Sequence, residues 1–128
     1  MLIKPITNLV IAGCLLLSCV QLQAHHSFAM FDLKTKVELQ GVVKEFQWTN
    51  PHTWIQLIVT DTNGIETEWS LEGAPVNMLV RNGWKNTSVK PGDKITVTGS
   101  PLVDGRPGAT YDLIVFADGT ELRAIAPR

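Results

Sequence analysis

The sequence predicts an all-β domain with one short helix, folded as a small OB-like barrel of five to six strands, with a β-sandwich as the alternative. Three observations carry this expectation. Segments rich in β-branched and aromatic residues alternate apolar and polar side chains, as at 54–61 and Lys94–Gly99, and a period of two marks a half-buried strand. Turn residues punctuate them at short intervals: Asn50-Pro51, Asn63-Gly64, Pro91-Gly92-Asp93 and Asp118-Gly119. The resulting order of three strands, a short helix, two strands and a small extra one is that of a five-stranded OB barrel.

The chain before the barrel has the layout of a secretory signal. Lys4 is the only charged residue before Asp32, residues 9–20 are an unbroken apolar or small run, and Gln21-Leu22-Gln23 leads to the small residue Ala24. This is the basic, apolar and cleavage-site order of a signal peptide over residues 1–24. Twelve residues make about 18 Å of helix against a hydrocarbon core of about 30 Å, so no transmembrane span is expected. Cleavage after Ala24 is the favoured processing route. Leu16-Leu17-Ser18-Cys19 has the form of a lipobox, so a lipid anchor at Cys19 stays open as the alternative. By either route the protein is expected to be periplasmic or secreted.

Residues 25–36 read as an extended lead into the domain, which spans 37–128. Residues 37–48 form a long first strand interrupted by Gly41, and a mid-strand glycine predicts a bulge or a sharp bend. The second strand, 54–61, places Ile55, Leu57 and Val59 on one face. Asn63-Gly64 is a strong short-range hairpin signal, and the return strand, 65–71, sets Ile65, Thr67, Trp69 and Leu71 on a single side. Pro75 opens two turns of helix that Asn82-Gly83 stops. Lys94–Gly99, 110–116 and 121–124 complete the strands.

Composition narrows the function classes. Removing residues 1–24 from the 128 leaves 104 residues, one small domain. Lys4 leaves with the signal, so ten of the eleven basic residues face twelve acidic ones. That net of −2 is a poor match to nucleic acid, and no nucleic-acid partner is expected. Cys14 and Cys19 also lie in the signal, leaving no disulfide and no thiolate ligand in the domain. Packing alone must hold the fold, and Trp48, Trp54, Trp69 and Trp84 are its largest contributors.

Several motifs are specific in combination: Ala24-His25-His26-Ser27-Phe28, Trp48-Thr49-Asn50-Pro51-His52, Asn82-Gly83-Trp84, and Pro91-Gly92-Asp93 followed by Val97-Thr98-Gly99. Over nearly the whole mature chain they resemble an uncharacterised family of small bacterial exported proteins. The resemblance implies a periplasmic, mostly β domain and supplies no activity to carry over.

The site must therefore come from the residues themselves. The mature chain has three histidines, His25, His26 and His52. Cleavage after Ala24 would give His25 both a free α-amine and an imidazole, which chelate one ion together. A further imidazole, from His52 on the Asn-Pro turn or locally from His26, completes an all-nitrogen set. Tetragonal nitrogen ligation suits Cu(II), and an α-amine gives up its proton to a metal more readily than a lysine does. Residues 25–36 could span about 40 Å when extended, at about 3.3 Å per residue, with Phe28, Met30 and Phe31 as anchors. The competing account makes His25-His26 a plain polar chain start and His52 a ring that caps a carbonyl or packs on Trp54.

Other chemistry is weaker. Ser27 beside His26 is no triad, and no Gly-x-Ser-x-Gly motif occurs, so a hydrolase is not expected. Glu66, Glu68 and Glu72 alternate along one strand face, which reads first as a solvated row. The leading expectation is a binding protein that holds copper or a similar ion through His25, with His52 or His26 assisting. The alternative is a metal-free module that docks a protein or glycan on a face bearing Trp54 and Trp69.

Overall fold

The computed structural model describes residues 28–124. The chain divides into two units, Met1–Met30 and Phe31–Arg128, and the fold below is that of the second. Its strands are β1 (Val37–Gln47), β2 (Trp54–Thr60), β3 (Glu66–Glu72), β4 (Lys94–Gly99), β5 (Gly108–Thr110), β6 (Leu113–Phe116) and β7 (Glu121–Arg123), with one helix, α1 (Val76–Arg81), between β3 and β4. The domain is mostly β, in one seven-stranded mixed sheet ordered β5-β3-β2-β1-β4-β6-β7. The ladder of named strands is not closed. Beyond the end of β4, an isolated bridge joins Pro101 to Ala109 of β5. The amide of Leu102 donates to the Gly108 carbonyl at 3.0 Å and that of Thr110 to the Ser100 carbonyl at 2.8 Å.

Alternation builds the core. Ile55 and Leu57 of β2, Leu71 of β3, Ile95 and Val97 of β4 and Ile114 of β6 all turn to one face and are buried, while their strand neighbours face outward. Phe46, Trp84 and Tyr111 pack in sequence with tilted rings, their centroids 6.2 and 5.6 Å apart. The helix is short because it has one buried anchor, Leu79. Gly83 ends it at φ 85°, with Gly83 N–H donating to Val80 O and Trp84 N–H to Leu79 O, the two bonds of a Schellman stop. That stop swings Trp84 into the core, where its Nε1 donates to Arg123 O at 2.9 Å, and Asn82 Nδ2 donates to Ala124 O at 3.1 Å.

Two sequence expectations shift. Gly41 does not mark the bulge, which lies two residues on, between Val43 and Glu45, with Lys44 as the extra residue. Glycine is needed at 41 because β1 and β2 approach closely there: a Cβ would lie 2.4 Å from Ile58 O and 2.8 Å from Leu57 Cγ. The strand expected over 110–116 is two strands. β5 runs parallel to β3, pairing Thr110 with Glu72, and β6 runs antiparallel to β4, pairing Leu113 with Thr98. The chain breaks at Tyr111-Asp112 because it changes partners there, with Tyr111 N–H bonded to Glu72 O and Asp112 N–H to Thr98 O.

Candidate functional site

His52 sits in the turn between β1 and β2, and that turn is fastened to the far end of β3. Pro51 follows Asn50 through a cis peptide bond. Asn50 Oδ1 accepts the Val76 amide at the start of α1, 3.1 Å away, and Thr49 Oγ1 donates to His52 O at 3.0 Å. Thr53, fully buried, donates through Oγ1 to Ala74 O at 2.8 Å and meets the Tyr111 hydroxyl at 2.5 Å. Gly73 N–H donates to Thr53 O at 2.8 Å. Residue 73 has to be glycine, since a Cβ there would lie 2.0 Å from Tyr111 Cζ. Burial pushes the Tyr111 phenol well above its ordinary value, and the Thr53 hydrogen bond opposes that shift only in part.

This scaffold fixes the imidazole. Nδ1 of His52 lies 3.1 Å from Gly73 O and 3.3 Å from Oε1 of Glu72, with His52 27% and Glu72 13% exposed. A carbonyl oxygen can only accept, so Nδ1 carries the proton and, in the neutral ring, Nε2 carries the lone pair. Among the described residues Nε2 makes no hydrogen bond. A ring whose Nδ1–H is tied to a carbonyl and a carboxylate is the arrangement that orients metal-binding histidines. Among the described residues no group of three or more His, Cys, Asp or Glu stands close enough to hold an ion. His25 and His26 lie outside the described residues.

Glu72 was missed as a site residue because it reads as one of a solvated row with Glu66 and Glu68. Two of the three fit that description: Glu66 is exposed, and Glu68 pairs with Lys44 at 2.6 Å, both half-exposed. Glu72 differs because it stands opposite Trp54, one residue from the His52 turn. The signal was available, since a hairpin at Asn63-Gly64 that pairs Thr60 with Glu66 sets Trp54 against Glu72 by register alone.

The same register separates the two tryptophans expected to share a ligand face. Trp54 pairs with Glu72 and lies on the outer side, whereas Trp69 pairs with Leu57 on the inner side and packs against the core. They form no joint platform. A shallow groove of about 370 Å³ does occur on the outer face, where Val42, Ile58 and Val115 meet Gln40, Lys94 and Thr96. It includes neither His52 nor either of those tryptophans.

A family model matches residues 14–111. The chain belongs to DUF6152, a family of unknown function. The match runs from the apolar N-terminal run through β5 to Tyr111, so the His52 turn, Glu72, Gly73 and Tyr111 of this DUF6152 chain all fall inside it. Comparison with curated proteins and with solved structures gives no match. Among the described residues no helix is long and apolar enough to cross a membrane.

One polar cluster had no counterpart in the sequence reading. Lys36 Nζ donates to Ser100 Oγ at 2.9 Å and pairs with Asp112 Oδ2 at 2.5 Å. A lysine, a serine and an aspartate suggest nucleophilic chemistry, but Ser100 is fully buried and the Lys36 ammonium is engaged by Asp112. The Ser100 hydroxyl is therefore out of reach of a substrate.

Proposed function

We propose that this DUF6152 chain is an exported, periplasmic or secreted, binding protein for a transition-metal ion, copper first, in which His52 ligates through Nε2. His25 supplies its α-amine and imidazole once the chain is cleaved after Ala24, and His26 is the local alternative donor. The single observation behind this reading is the Nδ1–H of His52 tied to Gly73 O and Glu72 Oε1, which leaves Nε2 as the basic nitrogen of a ring held by its scaffold. Nitrogen donors without thiolates suit Cu(II), the strongest binder in the divalent order. The role in this reading is that of a carrier, sensor or accessory module. In the metal-free alternative a protein or glycan docks on the face around Trp54 and Trp69, and the opposite orientation of the two residues leaves one of them to each side of the sheet.

The test is Cu(II) titration of the exported chain, its first residue read by intact mass. His25→Ala, one residue added before His25, and His52→Ala should each weaken binding by tenfold or more, with circular dichroism unchanged. Glu72→Ala should weaken it by about tenfold through loss of ring orientation. Absence of tight binding by a chain that begins at His25 would end the reading.

A further inference from the structure

We propose that the outer groove over β1, β2, β4 and β6 binds a small amphiphilic carboxylate, with Lys94 as its counter-ion and Val42, Ile58 and Val115 as its apolar floor. The groove shares no residue with the His52 turn, so the site stands whether or not copper is bound.

Register builds the site. Val42 pairs with Ile58 of β2 on one side and with Lys94 of β4 on the other. Three adjacent strands therefore present two aliphatic side chains and a cation in one row. The next row sets Gln40 beside Thr96, and Thr96 beside Val115 of β6. Strands lie about 4.8 Å apart, so the row from Ile58 to Lys94 covers about 10 Å. That suits a short acyl or aryl acid lying across the strands with its carboxylate at the β4 end. Val42 is 40% exposed in mid-strand, and contiguous apolar surface rimmed by polar groups is a mark of a ligand groove.

Charge gives the groove its direction. Lys94 is the one charged residue among those that line it. Two other lysines that leave this part of the sheet are already engaged: Lys36 pairs with Asp112, and Lys44 with Glu68 at 2.6 Å. Among the described residues the Lys94 side chain has no ion pair and no hydrogen bond, and the side chains of Gln40 and Thr96 have no hydrogen bond either. The neighbouring carboxylate of Asp93 is turned into its own loop, where Oδ2 accepts the Lys90 amide at 2.8 Å. An ammonium, an amide and a hydroxyl are all donors to a carboxylate oxygen, and the charged one makes the strongest bond.

Size limits the occupant. The groove of about 370 Å³ falls at the low end of small-molecule sites, which run from about 300 to 1,000 Å³. A floor of three aliphatic side chains is too small to be the apolar centre of a protein interface, which covers about 800 Å² on each side.

Titration of the exported, processed chain with octanoate, octyl glucoside and octylamine, each below its micelle threshold and followed by amide and methyl NMR, tests the site. Octanoate should shift Val42, Ile58 and Val115 together and saturably, and leave Gly73 in place. Octyl glucoside should bind more weakly. Lys94→Gln should weaken octanoate about threefold, as expected of a solvent-exposed ion pair, and leave octyl glucoside unchanged, while Lys94→Arg should keep octanoate binding. Val42→Ser should weaken both about threefold through lost apolar contact. Octylamine binding as tightly as octanoate, octanoate binding indifferent to Lys94→Gln, or no saturable shift at the three floor residues would overturn the inference. Shifts at those residues that grow with protein concentration without ligand would overturn it in favour of a second copy of the chain.

Discussion

The strands β2 and β3 are held together differently at their two ends. At the Asn63-Gly64 end every fastening is local: Asp61 Oδ1 accepts the amides of Asn63 at 2.8 Å and Ile65 at 2.9 Å, Gly64 takes φ 79°, and nothing crowds the turn. At the His52 end the partners come from far along the chain. Thr53 meets Tyr111, fifty-eight positions away, and His52 reaches Gly73, twenty-one away. One end is a solvated turn that a handful of neighbouring residues can specify. The other is a junction of three chain segments, and only there is a titratable ring half-buried against a carboxylate. Long-range fastening is what can hold a ligand atom in place, since its geometry survives the fluctuation of any one local turn.

The contrast can be broken from either side. Gly73→Ala carries the largest expected effect, because its Cβ must displace the Tyr111 ring from 2.0 Å. Overpacking of that kind costs about 3 kcal/mol, and denaturant melting should show it together with loss of any metal binding that needs His52. A neutral result would mean that the junction is soft.

Tyr111→Phe should cost about 1 kcal/mol near neutral pH, the net worth of one buried hydrogen bond. Its pH dependence is more telling. The folded phenol titrates above the ordinary value of 10.0 because burial penalises its charge. Its contribution is therefore complete below that value and lost as pH rises past it, where the unfolded chain ionises and the folded chain resists. Melting temperature should fall above about pH 10 in the native chain, and that part of the fall should vanish in Tyr111→Phe. At the opposite end Asp61→Ala should cost under about 1 kcal/mol, since its bonds are exposed to water. It should leave copper affinity untouched. An equal loss of affinity there would show the two ends to be one cooperative unit.

What could be read from the sequence follows the same division. The bounds of β4, those of β2 and α1 to within one residue, the hairpin at Asn63-Gly64 and the core roles of Ile55, Leu57 and Leu71 come from short-range pattern. His52 was visible as a residue type on a rigid turn. Its partners were not, because Gly73 and Glu72 reach it only through strand pairing. Lys36 was invisible for the same reason: its acceptors lie 64 and 76 positions away, and nothing in residues 25–36 distinguishes it from Lys34. The continuous strand expected over 110–116 failed because a change of pairing partner leaves no mark on apolar periodicity. That Trp54 and Trp69 lie on opposite sides of the sheet follows from parity, and the hairpin register alone would have shown it.

The hydrogen bonds that Trp84 and Asn82 make to the carbonyls of Arg123 and Ala124 bear on how the molecule behaves in company. β7 is the last strand of the sheet, only three residues long, and an uncovered edge offers its backbone to any extended chain nearby. Here the Schellman stop of α1 delivers an indole onto that edge and an amide just past it, so the carbonyl of Arg123 in β7 and that of Ala124 after it are engaged from within the same chain. The turn that ends the helix thus doubles as a guard against self-templating at that edge.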